Sequence, residues 1–232
     1  MPGQPLSKIK SDAKFTAGAE VFKAHPEMML MAMQTIAAGA GIDYVFSYIL
    51  TNFLHADPLT GMAMYAALSG GEGRKAVLKA AAQTRLSNSD FLLTDIVFNW
   101  TAPARKIRND FAHHLWGYSE DVPDAVLLID PKCMVGFDIG VRMANMEMQQ
   151  SRKIIFPTAY DLSLIRVYRK RAIDDAFQIV AKASETLVIL GLDLQLSDGG
   201  GISEDTRARL LREPVIGQQY AKRLVSEKSH TP

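Results

Sequence analysis

The chain has 232 residues, 48% of them hydrophobic and 22% charged, a balance that suits one domain with extensions or two small ones and excludes a disordered chain. The formal net charge is +1, so no global basic excess draws the protein to nucleic acid, and any such contact must come from a local cluster. The single cysteine, Cys133, excludes an intrachain disulfide framework, fits a reducing compartment, and reads as a buried structural thiol.

Residues 1–26 read as an N-terminal arm with partial helix. Lys8, Lys10, Asp12 and Lys14 follow Met1-Pro2-Gly3-Gln4-Pro5 where a secretory signal would place its apolar core, so a cytoplasmic protein is expected. Pro26 suits a first helical turn, and a helix is predicted from about Glu27 to Phe53 or His55. It is apolar nearly all round, as a central bundle helix would be, and Gly39 and Gly41 either weaken it or let a neighbour pack closely. Met28 to Leu54 is long enough to cross a bilayer. Asp43 near its middle, with Gln34, Asn52 and the small run Ala37–Gly41, argues for a buried bundle helix instead. Met28, Met29, Met31 and Met33 read as core or dimer packing.

Asp57-Pro58 marks the next start, with a helix from about Leu59 to Leu68. Ser69–Gly73 is a turn; no strand precedes its glycines and no Gly-Lys-Ser/Thr follows, so it is no phosphate loop. A helix from Arg74 to about Leu86 follows. Ser87-Asn88-Ser89-Asp90 then caps a long apolar-periodic run to His113 or His114, which Pro103 should kink or break near Trp100–Ala102. Ala125–Ile129 is β-prone and Cys133–Ile139 could return as its partner, which predicts a small hairpin near 125–139. Met143–Phe156 is ambiguous, and a long helix is predicted from about Tyr160 to Gly191. Ser197–Gly201 reads as a linker, Ser203 starts a short helix ending before Pro214, and the last dozen residues read as a loose tail. The expected division is thus an arm at 1–26, a helical domain at 27–196, and a linker with a short helix and tail at 197–232.

Polar chemistry concentrates at Lys106-Ile107-Arg108-Asn109-Asp110-Phe111-Ala112-His113-His114-Leu115-Trp116. Arg105, Asn109 and His113 are four apart and share one helical face. Arg108 and His113 are five apart, about 140° around an ideal helix, so a straight helix does not place them side by side. The arginine must wrap, the helix must loosen, or a second subunit must supply the partner group. These residue types suit an RNA phosphodiester. Histidine, with an ordinary pKa of ~6.5, exchanges protons at neutral pH, and arginine forks two hydrogen bonds onto phosphate. The ribose 2′-hydroxyl of RNA can itself be the nucleophile. Adjacent helical positions point about 100° apart, so His113 and His114 are not expected to hold a metal, and no cofactor is expected. A second basic run, Arg166-Val167-Tyr168-Arg169-Lys170-Arg171, interleaves cations with tyrosine as nucleic-acid surfaces do, although a solvated helix face is the simpler reading.

Arg108-Asn109-Asp110-Phe111-Ala112-His113 resembles the motif of the HEPN superfamily, helical bundles that carry an arginine, four to six residues, then a histidine. The similarity covers roughly Glu27 to Gly191. It implies an all-α, HEPN-like bundle of four to five main helices, with the hairpin as an insertion. It implies a metal-independent endoribonuclease acting as a homodimer, with Arg108 as phosphate clamp, His113 or His114 as general acid/base, and Asn109 orienting the histidine or phosphate. Arg105, Lys106, Arg166, Arg169, Lys170 and Arg171 would contact RNA. The alternative is a non-catalytic module of the same type holding RNA, nucleotide or a protein partner. Leu115 and Trp116 stand where one toxin subgroup carries tyrosine, so that subgroup is not matched.

Overall fold

The computed structural model describes residues 3–151, 159–197 and 200–228. The chain opens with β1 (Gln4–Pro5), a 3-10 turn at Leu6–Lys8, β2 (Thr16–Ala17) and α1 (Glu20–Ala24). Helices α2 (Pro26–Leu54), α3 (Pro58–Ala67), α4 (Gly71–Arg85), α5 (Asn88–Trp100) and α6 (Ala102–His113) follow. Then come β3 (Leu115–Tyr118), β4 (Ala125–Ile129), α7 (Pro131–Ser151), a 3-10 turn at Leu162–Leu164, and β5 (Ile165–Arg169). The chain continues with α8 (Lys170–Leu196), α9 (Glu204–Leu211) and α10 (Pro214–Lys228). The protein is mostly helical, as expected, with a small antiparallel sheet. It divides into two compact units, Met1–Ile36 with Asn109–Gln178, and Ala37–Arg108 with Ile179–Pro232.

The first unit is built on a five-stranded sheet in the order β1-β5-β4-β3-β2, with every neighbouring pair antiparallel. β4 is central, and all five of its residues are buried. Ala125, Leu127 and Ile129 pack with Leu6, Cys133, Ile165 and Val167 on one face. The alternate positions face the other way: Val126 pairs with Tyr168, and Leu128 with Trp116. Phe111, from the end of α6, sits edge-on to both aromatic rings of that second face, at 5.1 Å from Trp116 and 5.3 Å from Tyr168. Cys133 is a buried free thiol whose pKa burial pushes up.

The structure corrects the expected hairpin. Ala125–Ile129 is a strand, but its partners are β3 and β5, and Cys133–Ile139 lies in α7. Asp130 starts that helix: its Oδ1 accepts from Lys132 N at 2.9 Å, and Pro131 occupies the first turn. Val135 and Ile139, which a strand would bury, are 56% and 53% exposed. The helix expected from Tyr160 begins only at Lys170, because Ile165, Val167 and Tyr168 are needed in the sheet. In the expected arm, residues 4–5 and 16–17 supply the two edge strands, and Leu6 is fully buried. Edge strands of two residues leave little unpaired backbone.

The second unit is helical. Its core includes Ile42, Phe46, Ile49, Leu50 and Phe53 of α2, Leu93, Ile96 and Val97 of α5, and Val180, Leu187 and Leu190 of α8. The predicted starts hold: Asp57 caps α3 by accepting from Thr60 N at 3.0 Å, and Ser87 caps α5 by accepting from Asp90 N at 3.2 Å. The expected break near Pro103 falls at Thr101, whose hydroxyl donates to Phe98 O at 2.8 Å. Gly70, at φ +72°, provides the turn before α4, which begins three residues earlier than predicted. The C-terminal segment departs most from expectation, since α10 runs from Pro214 to Lys228, into the last dozen residues, where a loose tail was expected. Ile202, Leu210 and Ile216 are buried in the core, and the linker expected at Ser197–Gly201 lies partly outside the described residues.

Two carboxylates of α5 hold these last helices. Arg207 of α9 pairs with Asp90 and donates to the Tyr220 hydroxyl at 3.1 Å. Asp95, 5% exposed, receives Lys79 of α4 and Arg223 of α10, each at 2.8 Å. Burial alone would raise the Asp95 pKa, but hydrogen bonds and charge from Lys79 and Arg223 outweigh it and hold the carboxyl below its ordinary value. α2 is long and apolar enough to cross a membrane by length and composition, and 33% of its most apolar window is buried in the fold.

Two predictions follow from this packing. A Cβ on Gly39 would lie 2.4 Å from Arg108 Cγ and 2.6 Å from Arg108 Cβ, atoms near the backbone that cannot swing far. Gly39→Ala should therefore destabilise the protein in urea unfolding by about 1–2 kcal/mol, although alanine is the better helix former by about 1 kcal/mol. For Asp95, the lowered folded pKa means that its contribution is present above the unfolded value near ~3.9 and is lost as pH falls through the folded one. Asp95→Asn should cost about 1–3 kcal/mol at pH 7, and the gap from the unsubstituted protein should narrow at acid pH in denaturation curves.

Candidate functional site

The motif begins in the helical unit. Arg105 is half-buried: its Nη2 lies 3.3 Å from Asp43 Oδ1, and its guanidinium sits 5.3 Å from the Phe46 ring centre. The Tyr65 hydroxyl donates to the same carboxylate at 3.4 Å, and burial with the Asp43 charge raises the Tyr65 pKa to about 12. Asp43, an obstacle to the membrane reading in the sequence, is therefore an ion-pair partner inside the helical unit. Arg105 is committed to packing and does not lie with the exposed cations. Lys106 is exposed. Arg108 is half-buried, with its Cβ and Cγ laid across the open backbone of Gly39.

α6 is regular from Ala102 to His113. Ala104 and Phe111 are buried, whereas Ala102, Lys106, Asn109 and His113 are exposed. Lys106, Asn109 and His113 follow one another at three and four residues, so they form one solvent-facing row. Arg108 projects about 140° from His113 on this unbroken helix, and the helix does not loosen before His113 to bring them together.

Within the sheet unit, the two histidines have different surroundings. His113 is the last residue of α6 and is exposed. His114 is half-buried, and its backbone N–H and ring Nδ1 both meet the Asp110 carbonyl, at 3.0 and 2.9 Å. The other ring nitrogen, Nε2, lies 3.9 Å from Asp130 Oδ2. Asp130 is the residue that sequence reasoning missed. Its signal was the Asp-Pro pair, the same one that marks the start of α3 at Asp57-Pro58. Trp116 Nε1 donates to the Phe111 carbonyl at 3.0 Å, so these two aromatic members of the motif lock the helix end onto the sheet.

The second basic run does not lie on a helix face. Arg166 and Arg169 are exposed positions of β5, and Lys170 and Arg171 open α8. Arg169 Nε is 2.7 Å from Asp124 Oδ2, and Lys170 Nζ is 2.7 Å from Glu27 Oε2. Hydrogen bonding to these cations holds both carboxylates below their ordinary values. Arg166 Nη1 reaches the Gly3 carbonyl at 3.5 Å. Two of the four cations are thus already neutralised, which favours a solvated structural surface. Tyr168, the interleaved aromatic, is buried against the sheet and presents no stacking face.

Among the described residues, no group of three or more His, Cys, Asp or Glu is placed to hold a metal ion. No protein-family model, no curated protein and no solved structure matches this chain.

The structure separates anchoring residues from exposed ones within the motif. Phe111→Ala should cost about 3–5 kcal/mol in chemical denaturation, since a ring only 1% exposed would leave a cavity between Trp116 and Tyr168.

Proposed function

We propose that this protein is an HEPN-like, metal-independent endoribonuclease that works as a homodimer. The observation that carries the reading is the row Lys106, Asn109 and His113 on the exposed face of α6, ending in a histidine at the helix terminus. Lys106 attracts the sugar–phosphate chain, Asn109 orients the scissile phosphate, and His113 takes the 2′-hydroxyl proton. The 2′-oxygen then attacks the adjacent phosphorus, the bond to the 5′-oxygen breaks, the leaving 5′-oxygen takes a proton from water, and a 2′,3′-cyclic phosphate and a 5′-hydroxyl end remain.

The resemblance assigns Arg108 as the phosphate clamp, which neutralises charge developing on the non-bridging oxygens. Because Arg108 projects away from His113 of its own helix, the proposal gives each phosphate the Arg108 of one protomer and the His113 of its partner. His114, pinned between Asp110 O and Asp130, fixes the helix end and is a positioning residue.

The test is cleavage of an end-labelled single-stranded RNA in the presence of a chelator. His113→Ala and Arg108→Ala should each lower the rate by about 10²–10⁴-fold while circular dichroism stays unchanged. Mixing the two inactive variants should restore part of the activity, because one mixed dimer holds one complete pair. Undiminished cleavage in either variant, or loss of cleavage on chelation, would falsify the proposal. RNA bound in a salt-dependent way but never cut would favour the non-catalytic binding module instead.

A further inference from the structure

The helical unit holds a cleft of about 520 Å³ that the motif does not use. This is the size of a small-ligand site, and most of its wall is apolar with a few polar groups converging on it. Trp100, at the end of α5, is half-buried in that wall, and Pro103 of α6 lies beside it. Asn99 and Gln219 bring carboxamides, and the ion pair of Lys182 with Glu213 brings one charge of each sign. Asn99 Nδ2 already donates to Asp95 O at 2.7 Å, which fixes that amide and leaves its Oδ1 to accept from a ligand.

The combination selects a ligand chemistry. A half-buried indole offers a flat apolar face, which suits a planar heterocycle. The Glu213 side chain is 15% exposed and its carboxylate has lone pairs beyond those used by Lys182, so it can accept two adjacent N–H groups. Lys182, 56% exposed, keeps donors for an acceptor beside them. Among the RNA bases, guanine presents this pattern on one edge: N1–H and the 2-amino group side by side, with O6 next to them. Adenine and cytosine offer Glu213 one amino group, and uracil offers one imide N–H. Lys106 is exposed one helical turn from Pro103, close enough along α6 to meet the phosphate of a base held at Trp100.

We infer that this cleft is a guanine subsite, in which the base stacks on Trp100, Glu213 accepts from N1–H and the 2-amino group, and Lys182 donates to O6. That the guanine belongs to an RNA strand rests on the ribonuclease reading above; the base pocket itself does not. Seated there, the guanine would bring its own phosphate to Lys106.

The test is calorimetric titration of the full chain with GMP, IMP, AMP, CMP and UMP. GMP should bind best, and IMP, which lacks the 2-amino group, should bind about tenfold more weakly. Glu213→Gln, which replaces one acceptor oxygen by a donor, should abolish the preference for GMP over IMP, and Lys182→Gln should weaken both. Thermal unfolding shows whether either variant is folded, and the GMP–IMP comparison in the unsubstituted protein needs no variant. Equal binding of GMP and IMP, no GMP binding at millimolar ligand, or an unaltered preference in folded Glu213→Gln would overturn the assignment. RNA cleavage measured on the same samples separates the two ideas. Cleavage without a guanine preference in binding leaves the ribonuclease and removes the pocket, whereas a GMP preference without cleavage leaves a guanine-nucleotide site and removes the ribonuclease.

Discussion

The burial of β4 on both faces is the constraint on which the candidate site depends. Five successive apolar residues, Ala125–Ile129, must be covered above and below. One side is closed by Leu6, Ile165 and Val167, and the other by the aromatic set of Trp116, Tyr168 and Phe111. Phe111 belongs to the motif helix, so covering the strand also fixes where α6 ends. Asp130 follows the last residue of β4 directly, and its carboxylate both starts α7 and faces His114. The positions of the two histidines thus follow from closing a hydrophobic layer. The Asp110 carbonyl then holds the ring of His114 in place.

The helical unit solves a different problem. Buried carboxylates are costly unless their partners are arranged around them, and α5 carries two. Asp90 and Asp95 receive cations from α9, α4 and α10, so the last two helices are tied by charge at the same points where Ile202, Leu210 and Ile216 add apolar cover. This cover also shapes the cleft beside Trp100, since Glu213 and Gln219 belong to the segment that α5 holds. The unit that carries Arg108 and the unit that carries His113 are therefore stabilised by unlike means.

Helices with unambiguous punctuation were legible in the sequence. Asp57-Pro58, the Ser87–Asp90 caps and Pro103 each act through local geometry, and local geometry needs no knowledge of partners. The sheet was less legible because its strands are short and its partners distant. Leu115–Tyr118 has four residues, and β1 and β2 have two each, so no periodicity can form within them. Ile165–Arg169 passes for helix because its neighbours continue the helical stripe, and only pairing with β4 makes it a strand. Cys133–Ile139 shows the reverse error: Asp130-Pro131-Lys132 passed for a turn leading into a return strand, while Asp130-Pro131 marks a helix start. Spacing alone placed Asn109 and His113 on one face of α6 but set Arg105 beside them, where the exposed row instead carries Lys106. That Arg105 turns to Asp43, and that Asp130 meets His114, required the tertiary fold.

The contact between Gly39 and Arg108 has a consequence for how this protein can vary. The arginine stem occupies the volume that any side chain at position 39 would need. Two residues on different helices therefore share a single allowance of space. A shorter residue at 108 would free position 39 to accept alanine or serine, whereas an arginine at 108 confines it to glycine. A glycine with no chemistry of its own then becomes a marker of the arginine, and related chains that keep one should keep the other.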